Sequence, residues 1–149
     1  MPEKETLERA EQDKKEGKSP STQAGEFVRE EIEHIREGKH GARSTEQAIA
    51  IGLSKARRAG VKLAAPEKGK ASKETREQAK RELRTAAKGG SKKKPSTKRS
   101  RATSKALKRE GHSAASKKAL SKHARTAARK RSASSRSQSA KKAAATRER

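Results

Sequence analysis

The scarcity of large apolar side chains constrains this sequence more than any other feature. Hydrophobic residues make up 27% of its 149 positions, but most of them are Ala, and Phe27 is the only aromatic residue. Leu, Ile, Val and Phe together supply 13 residues. A highly charged chain with less than roughly 20% of these four types is expected to be disordered. We therefore expect no conventional enzyme core.

The residue types that are absent exclude further classes of protein. The sequence contains no Cys, which rules out disulfide scaffolds, thiolate zinc sites and cysteine nucleophiles. It also has no apolar run of the roughly 18 residues that a membrane span requires, and its first residues lack the apolar stretch of a secretory signal. We predict a soluble cytoplasmic protein without a membrane span.

The positive charge is concentrated in the second half of the chain. The net charge is +24; residues 1–70 hold 15 basic and 13 acidic residues, whereas residues 71–149 hold 27 basic and 5 acidic ones. From Lys88 to Arg149 the acids are Glu110 and Glu148. Because like charges repel and apolar groups are few, residues 91–149 are predicted to form a disordered, low-complexity tail.

The first half carries clearer signals for helices. Val28, Ile32 and Ile35 follow the spacing of one helical face, which predicts a helix from about Thr22 to Glu37 that ends at Gly38. A second helix is predicted from Ser44, which has Gln47 three residues later in the arrangement of a capping box, as far as Gly60. A third is predicted from Ser72 to Lys88, before Gly89 and Gly90.

These elements predict a mostly α-helical fold combined with intrinsic disorder. Residues 1–20 are a charged, flexible leader, and residues 21–65 are a small helical hairpin in which Val28, Ile32 and Ile35 face Ile49, Leu53 and Ala56. Residues 66–90 are a hinge and the third helix, and the cationic tail follows. So small a hairpin is expected to need a third element, a second copy or a ligand, so we consider self-association through the hairpin.

Two resemblances arise from these segments. Lys39-His40-Gly41 followed by the Ser-x-x-Gln-Ala-Ile-Ala-Ile-Gly-Leu-Ser-Lys-Ala helix of residues 44–56 resembles a family of small basic bacterial proteins known as a domain of unknown function. The resemblance covers about a third of the chain and implies relatives, not an activity. The C-terminal part is similar in composition to linker-histone tails and to the Lys/Ala tails of bacterial histone-like proteins.

No pattern predicts catalysis, a metal or a cofactor. His34, His40, His112 and His123 lack the spacing of metal ligands, and no carboxylate constellation accompanies them in the sequence. The acids between Glu30 and Glu37 are interpreted as a solvated, salt-bridged helix face. The segment 38–41 is interpreted as a turn between helices, with an anion-binding nest as the alternative. We predict no enzyme, no catalytic residue, no metal site and no cofactor.

The basic clusters instead predict contacts with phosphates. The candidate nucleic-acid-binding residues recur every few positions through the tail and are Lys92, Lys93, Lys94, Lys98, Arg99, Arg101, Lys105, Lys108, Arg109, Lys117, Lys118, Lys122, Arg125, Arg129, Lys130, Arg131, Lys141 and Lys142. Lys55, Arg57 and Arg58 form a secondary cluster, for which favourable interaction with the helix dipole is the alternative.

Duplex DNA is the favoured target. The net charge of +20 from Lys88 onward matches the phosphates of ~34 Å of duplex, about ten base pairs. The tail has no aromatic ring to stack on unpaired bases, which disfavours readers of single strands or RNA sequence. We therefore expect a histone-like, nucleoid-associated protein that binds DNA without sequence preference. The alternatives are a hydrophilic disordered stress protectant and an RNA- or ribosome-associated basic protein.

Overall fold

A computed structural model of the chain describes residues 1–90 and 96–147, which are helical along most of their length. Seven α-helices occur in these ranges: α1 Lys4–Lys15, α2 Pro20–Arg36, α3 Thr45–Arg58, α4 Lys73–Ala87, α5 Thr97–Arg109, α6 Lys117–Arg129 and α7 Ala133–Arg147. A single 3₁₀ turn, Ser113–Ala115, lies between α5 and α6. Of these described helices, none is long and apolar enough to cross a lipid bilayer.

Local capping signals explain where the two central helices begin. The Ser19 hydroxyl accepts a hydrogen bond from the Thr22 amide at 3.3 Å, and Pro20 occupies the first turn of α2. The Ser44 hydroxyl accepts from the Gln47 amide at 3.2 Å, as the predicted capping box requires. The Gln47 carboxamide oxygen, however, accepts from the Arg43 amide at 2.7 Å, so the return bond lies one residue earlier than expected.

Helices α2 and α3 approach so closely that their contact excludes even a methyl group. A Cβ atom built on Gly52 would lie 2.6 Å from Val28 Cα and 2.9 Å from Val28 N. Ala48, Gly52 and Ala56 share one face of α3 and are all buried. The predicted Ile49 and Leu53 are only partly buried, so the small residues form the deepest part of the helix contact, not the larger ones.

The core is built largely from alanine. Eight of the twelve buried hydrophobic residues in the described ranges are Ala. Phe27 packs with Ala24 and Ala56 in one cluster, while Ile32 and Ile35 pack with other small residues in a second. Because small side chains let helix backbones approach one another, few large apolar groups are needed to exclude water from this interior.

The remaining N-terminal elements pack on the α2–α3 pair. Helix α1 lies against α2, where Arg9 Nε donates to Glu26 Oε2 at 2.8 Å. Helix α4 lies against α3, where the Ser54 hydroxyl donates a short hydrogen bond to Glu82. These helices, together with the 3₁₀ turn, cover the apolar faces that suggested self-association.

The predicted fold class is wrong, most clearly in the second half of the chain. A hairpin of two or three helices followed by a disordered tail was expected, but α5, the 3₁₀ turn, α6 and α7 occupy most of residues 96–147. Ala114 and Ala115 are buried against α2 and α3, and Leu120 packs on the same cluster. The disordered stress protectant proposed as an alternative loses its premise, since the described part of this segment is helical.

Helix propensity, capping and one long-range hydrogen bond account for helix in this strongly charged segment. Ala has the highest helix propensity and Lys and Arg are also good helix formers, so their mixture favours helix over coil. Ser116 caps α6 by accepting from the Ala119 amide at 3.2 Å, and Ser132 accepts from the Ser135 amide at 3.1 Å. Buried Ala114 contributes its carbonyl to the Thr45 hydroxyl at 2.7 Å. Capping and docking thus offset the repulsion on which the prediction of disorder was based.

We predict that Gly52→Val destabilises the protein by about 1–3 kcal/mol, because the new side chain must separate α2 from α3. Gly25→Ala is the matched control: it lies within α2 and its Cβ would meet nothing within 4 Å. That substitution should be neutral or stabilise by up to ~1 kcal/mol. Urea unfolding followed by circular dichroism measures both; equal stability of Gly52→Val and wild type would contradict the close helix contact.

We also predict that Ala115→Asp releases α6 from the α2–α3 pair. Ala115 is 1% exposed, so a carboxylate there must be desolvated or the turn must leave its site. Ala127→Asp, at an exposed position of α6, introduces the same charge without burial. Hydrogen exchange of the α6 amides should accelerate roughly 10- to 100-fold in the first variant only, corresponding to about 1–3 kcal/mol of lost protection. Similar exchange in both variants would argue against docking through the 3₁₀ turn.

Candidate functional site

Helix α5 presents most of its basic residues on one face. Lys98, Arg101, Lys105, Lys108 and Arg109 lie within about a third of the helix circumference, given 3.6 residues per turn. All five are exposed, as is Arg99 on an adjacent face. The face extends ~16 Å along the helix at 1.5 Å per residue. It is therefore a row of solvated cations, and none of the five forms an ion pair with an acid in the part of the chain that the structure describes.

The C-terminal end of α5 is anchored to the turn between α2 and α3. The Gly41 amide donates to the Leu107 carbonyl at 2.9 Å, and the Ala42 amide donates to the Gly111 carbonyl at 3.0 Å. A Cβ on Gly41 would overlap the Glu110 backbone, so this approach requires glycine. These two hydrogen bonds fix the position of the C-terminal end of α5, and so of its basic face, relative to the N-terminal helices.

Helix α6 separates a docking face from a cationic face. Leu120 packs on the core, and His123 Nδ1 lies 3.1 Å from Glu46 Oε1 on α3. Lys118, Lys122, Arg125 and Arg129 lie on another side of the helix and are all exposed. Because the apolar face is used for docking, the basic face is directed towards solvent.

Two arginines at the junction between α6 and α7 donate hydrogen bonds within the chain. Arg131 donates to the Ser135 side chain and carbonyl and to the Ser139 hydroxyl. Arg136 Nη1 donates to the Arg131 carbonyl at 3.1 Å. The remaining binding candidates between the start of α6 and the end of α7 are exposed: Lys117, Lys130, Lys141 and Lys142. Lys92, Lys93 and Lys94 lie outside the described residues.

The two halves of the chain handle their charge differently. In the N-terminal half, basic and acidic side chains pair with one another, as in Lys18 with Asp13 at 2.8 Å and Arg29 with Glu33 at 3.0 Å. Residues 96–147 hold 17 Lys and Arg but a single acid, Glu110. Most of that positive charge therefore remains available to an external polyanion.

The three residues of the secondary cluster at the end of α3 have different environments in the structure. Arg57 is buried, and its guanidinium donates to the Leu63 and Ala64 carbonyls at 3.2 and 3.3 Å. Lys55 is directed into the protein, where it meets two carboxylates, whereas Arg58 is exposed. Only Arg58 of the three is therefore placed as an exposed cation.

The partners of Lys55 form a buried charged cluster that the sequence reasoning missed. Its ammonium lies 3.1 Å from Glu30 Oε1 and 2.7 Å from Glu31 Oε2, and the two carboxylates are 2% and 1% exposed. Burial opposes ionisation of Glu30, but hydrogen bonds from the Glu3 amide, Lys55 and Thr6 outweigh it and lower its pKa. Burial also opposes the charge on Lys55, yet pairing with both carboxylates raises its pKa. Both groups are thus held in their charged forms.

Two histidines border this cluster, on the side of Glu31 away from the lysine. His40 Nε2 lies 3.3 Å from Glu31 Oε1, and His34 Nε2 lies 2.8 Å from Glu3 Oε1. The His34 and His40 rings meet edge to face, with centroids 6.2 Å apart. Sequence spacing could not show this arrangement, because His40 returns to α2 only through the turn at Gly38, where φ is +74°. Glu31 and His34, three residues apart on one helix, were the only available signal.

Comparison with known proteins assigns no family. No protein-family model matches the chain, and neither the curated proteins nor the solved structures contain a significant match. The resemblances suggested by the Lys39–Gly41 turn, the following helix and the basic tail therefore stay predictions.

We predict that Lys55→Met costs about 3–5 kcal/mol of stability, because it leaves two buried carboxylates without their cation. Lys62→Met, an exposed lysine a few residues further on, is the control and should change stability by less than about 0.5 kcal/mol. Thermal and urea unfolding at pH 7 compare the two. If Glu31→Gln, added to Lys55→Met, restores part of the lost stability, the loss comes from uncompensated charge. The buried ion pair would be contradicted if Lys55→Met were as stable as Lys62→Met and the added Glu31→Gln changed nothing.

Proposed function

We propose that the protein binds duplex nucleic acid, DNA in preference to RNA, through phosphate contacts made by its C-terminal helices. The observation that carries this proposal is the set of exposed basic faces on α5 and α6, which form no ion pair among the described residues, whereas most acids of the N-terminal half do. Repeated cations of one sign attract a polyanion and release its condensed counterions. We expect such a protein to accompany the nucleoid.

The shape of the basic elements supports DNA over RNA. An α-helix is ~10–12 Å wide, which suits the ~12 Å major groove of B-form DNA, whereas the major groove of A-form RNA is too narrow for side chains to read. Residues 96–147 contain no Phe, Tyr or Trp, so they lack the large rings on which unpaired bases stack in single-strand binders. Contacts to the backbone position a protein without reading sequence, so binding should not depend on base composition.

We predict a steep dependence of binding on salt for the full-length protein. With about 6–12 phosphate contacts, log K should fall linearly with log salt, and affinity for a 20-base-pair duplex should drop ~10³-fold or more between 50 and 200 mM NaCl. Fluorescence anisotropy with two unrelated duplex sequences, a single strand and a duplex RNA measures this. Salt-insensitive binding, or a strong preference for one sequence, would be incompatible with phosphate neutralisation. Tighter binding of the duplex RNA would shift the proposal to an RNA partner.

A charge-matched pair of variants locates the interface. Replacing Lys118, Lys122, Arg125 and Arg129 by Gln removes the cationic face of α6 and retains residues that favour helix. The salt slope should fall by up to about 3.6, at about 0.9 per lost contact.

The control removes the same charge from exposed positions of the N-terminal half: Lys14, Lys15, Lys62 and Lys68 replaced by Gln. It should leave the slope nearly unchanged. Equal losses in the two variants would mean that net charge alone governs binding, not the faces of the C-terminal helices. Circular dichroism of both variants confirms that helix content is retained.

A further inference from the structure

Glu31, His34 and His40 converge where α2 ends and the chain turns back towards α3. Glu31 and His34 are three residues apart and therefore share one side of α2. The turn at Gly38 then returns His40 to the same place. One ligand-type atom from each of the three side chains lies within 4.8 Å of the others. The nucleic-acid proposal makes no use of this group.

The spacing of these atoms is close to that of metal ligands. Two ligands of a tetrahedral zinc ion, each bound at ~2.0–2.1 Å, lie ~3.4 Å apart. His40 Nε2 and Glu31 Oε1 are already separated by 3.3 Å. A ligand-type atom of His34 lies within 4.8 Å of both, so an approach of up to about 1.4 Å would complete a three-ligand face of two imidazoles and one carboxylate.

Hydrogen bonds to the outer nitrogens fix how the two imidazoles are protonated. His40 Nδ1 lies 3.1 Å from the Gly41 carbonyl, which only accepts, so Nδ1 carries the hydrogen. In the neutral ring, the Nε2 lone pair then faces the Glu31 carboxylate, an arrangement that requires a cation between them or a second proton. His34 donates from Nε2 to Glu3 Oε1 at 2.8 Å, which leaves its lone pair on Nδ1. Such outer hydrogen bonds are typical of metal-binding histidines.

The charge at this site also calls for a cation. Two almost fully buried carboxylates, Glu30 and Glu31, share the single ammonium of Lys55. The backbone amide of Glu3 donates to Glu30 at 2.9 Å. Neither oxygen of Glu31 has a hydrogen bond of normal geometry, although Lys55 and His40 lie nearby. Glu31 is therefore the carboxylate with coordination capacity to spare.

We propose that Glu31, His34 and His40 form a binding site for a divalent transition-metal ion, represented by Zn²⁺. A ligand set of two imidazoles and one carboxylate suits zinc and its neighbours in the first transition series, whereas Mg²⁺ and Ca²⁺ require more oxygen ligands. The side chains of His34 and His40 are 14% and 18% exposed, which leaves a route for the ion and a position for water.

The position of the site gives the ion a structural consequence. A bound metal would tie the C-terminal end of α2 to the turn whose Gly41 and Ala42 amides hold the C-terminal end of α5 and the residue Gly111 beyond it. Metal binding should therefore raise the thermal stability of the whole chain, because the site is formed only in the folded state.

Titration of the full-length protein with Zn²⁺ tests the proposal directly. We expect one equivalent to bind saturably by calorimetry, with Mg²⁺ producing no comparable heat, and the melting temperature to rise. Heteronuclear NMR of the imidazole rings should show that His34 and His40 shift with Zn²⁺ while His112 and His123 do not. Shifts confined to His112 or His123, or no saturable binding, would overturn the site and leave His40 and Glu31 as neighbouring side chains only.

The chain supplies its own matched controls. His40→Ala and Glu31→Gln should each weaken Zn²⁺ binding by at least ~100-fold, since even the loss of a residue that only orients a ligand costs about 10- to 100-fold. The double variant His112→Ala, His123→Ala also removes two imidazoles, but neither belongs to the proposed site. It should therefore bind Zn²⁺ like the wild type. Unchanged affinity in His40→Ala would refute the proposal. If a site variant loses helix, the NMR measurement on the wild-type protein decides the question without it.

Discussion

The close contact between α2 and α3 is the constraint on which the other elements depend. Gly52 brings the two backbones together at Val28, and neighbouring Ala48 and Ala56 extend the contact along the helix. This pair then offers separate surfaces to α1, to α4 and to the 3₁₀ turn. A chain with so few large apolar residues can exclude water in this way because small side chains let the helix backbones approach closely, and dispersion attraction is strongest at such short distances.

The buried ion pairs are a second requirement of the same arrangement. Glu30 and Glu31 lie on the side of α2 that faces α3, and without Lys55 their desolvation would oppose the helix contact. The arrangement also fixes the relative orientation of the helices, since a rotation of either one would separate the ammonium from the carboxylates. A core of alanine alone would specify that orientation less strictly.

In the N-terminal half, local features could be predicted from the sequence more accurately than the packing of the helices. The Ser44 cap and the stop at Gly38 depend on neighbouring residues and could be read directly. The inward face of α3 was misjudged because hydrophobicity ranks Ile49 above Gly52, whereas the contact selects for small size. The prediction for the C-terminal half was wrong for a related reason. The transfer free energy of an Ala side chain is small, so Ala115 was not expected in a core, yet it is among the most deeply buried residues. The group of Glu31, His34 and His40, proposed as metal ligands, depends on a turn that no helical period describes.

The turn at residues 38–43 connects the two proposed activities physically. Its amides hold the C-terminal end of α5 and the Gly111 carbonyl just beyond it, and its histidine contributes to the group around Glu31. The phosphate-binding side chains and the metal ligands are nevertheless different residues on different faces. Removing the α6 cations should therefore leave the metal site intact, and removing His40 leaves every exposed cation in place. Coupling between the two sites, if measured, has two routes in the described residues: this turn, whose amides donate to the Leu107 and Gly111 carbonyls, and α2 itself, where Arg36 Nε donates to the Ala115 carbonyl at 2.9 Å.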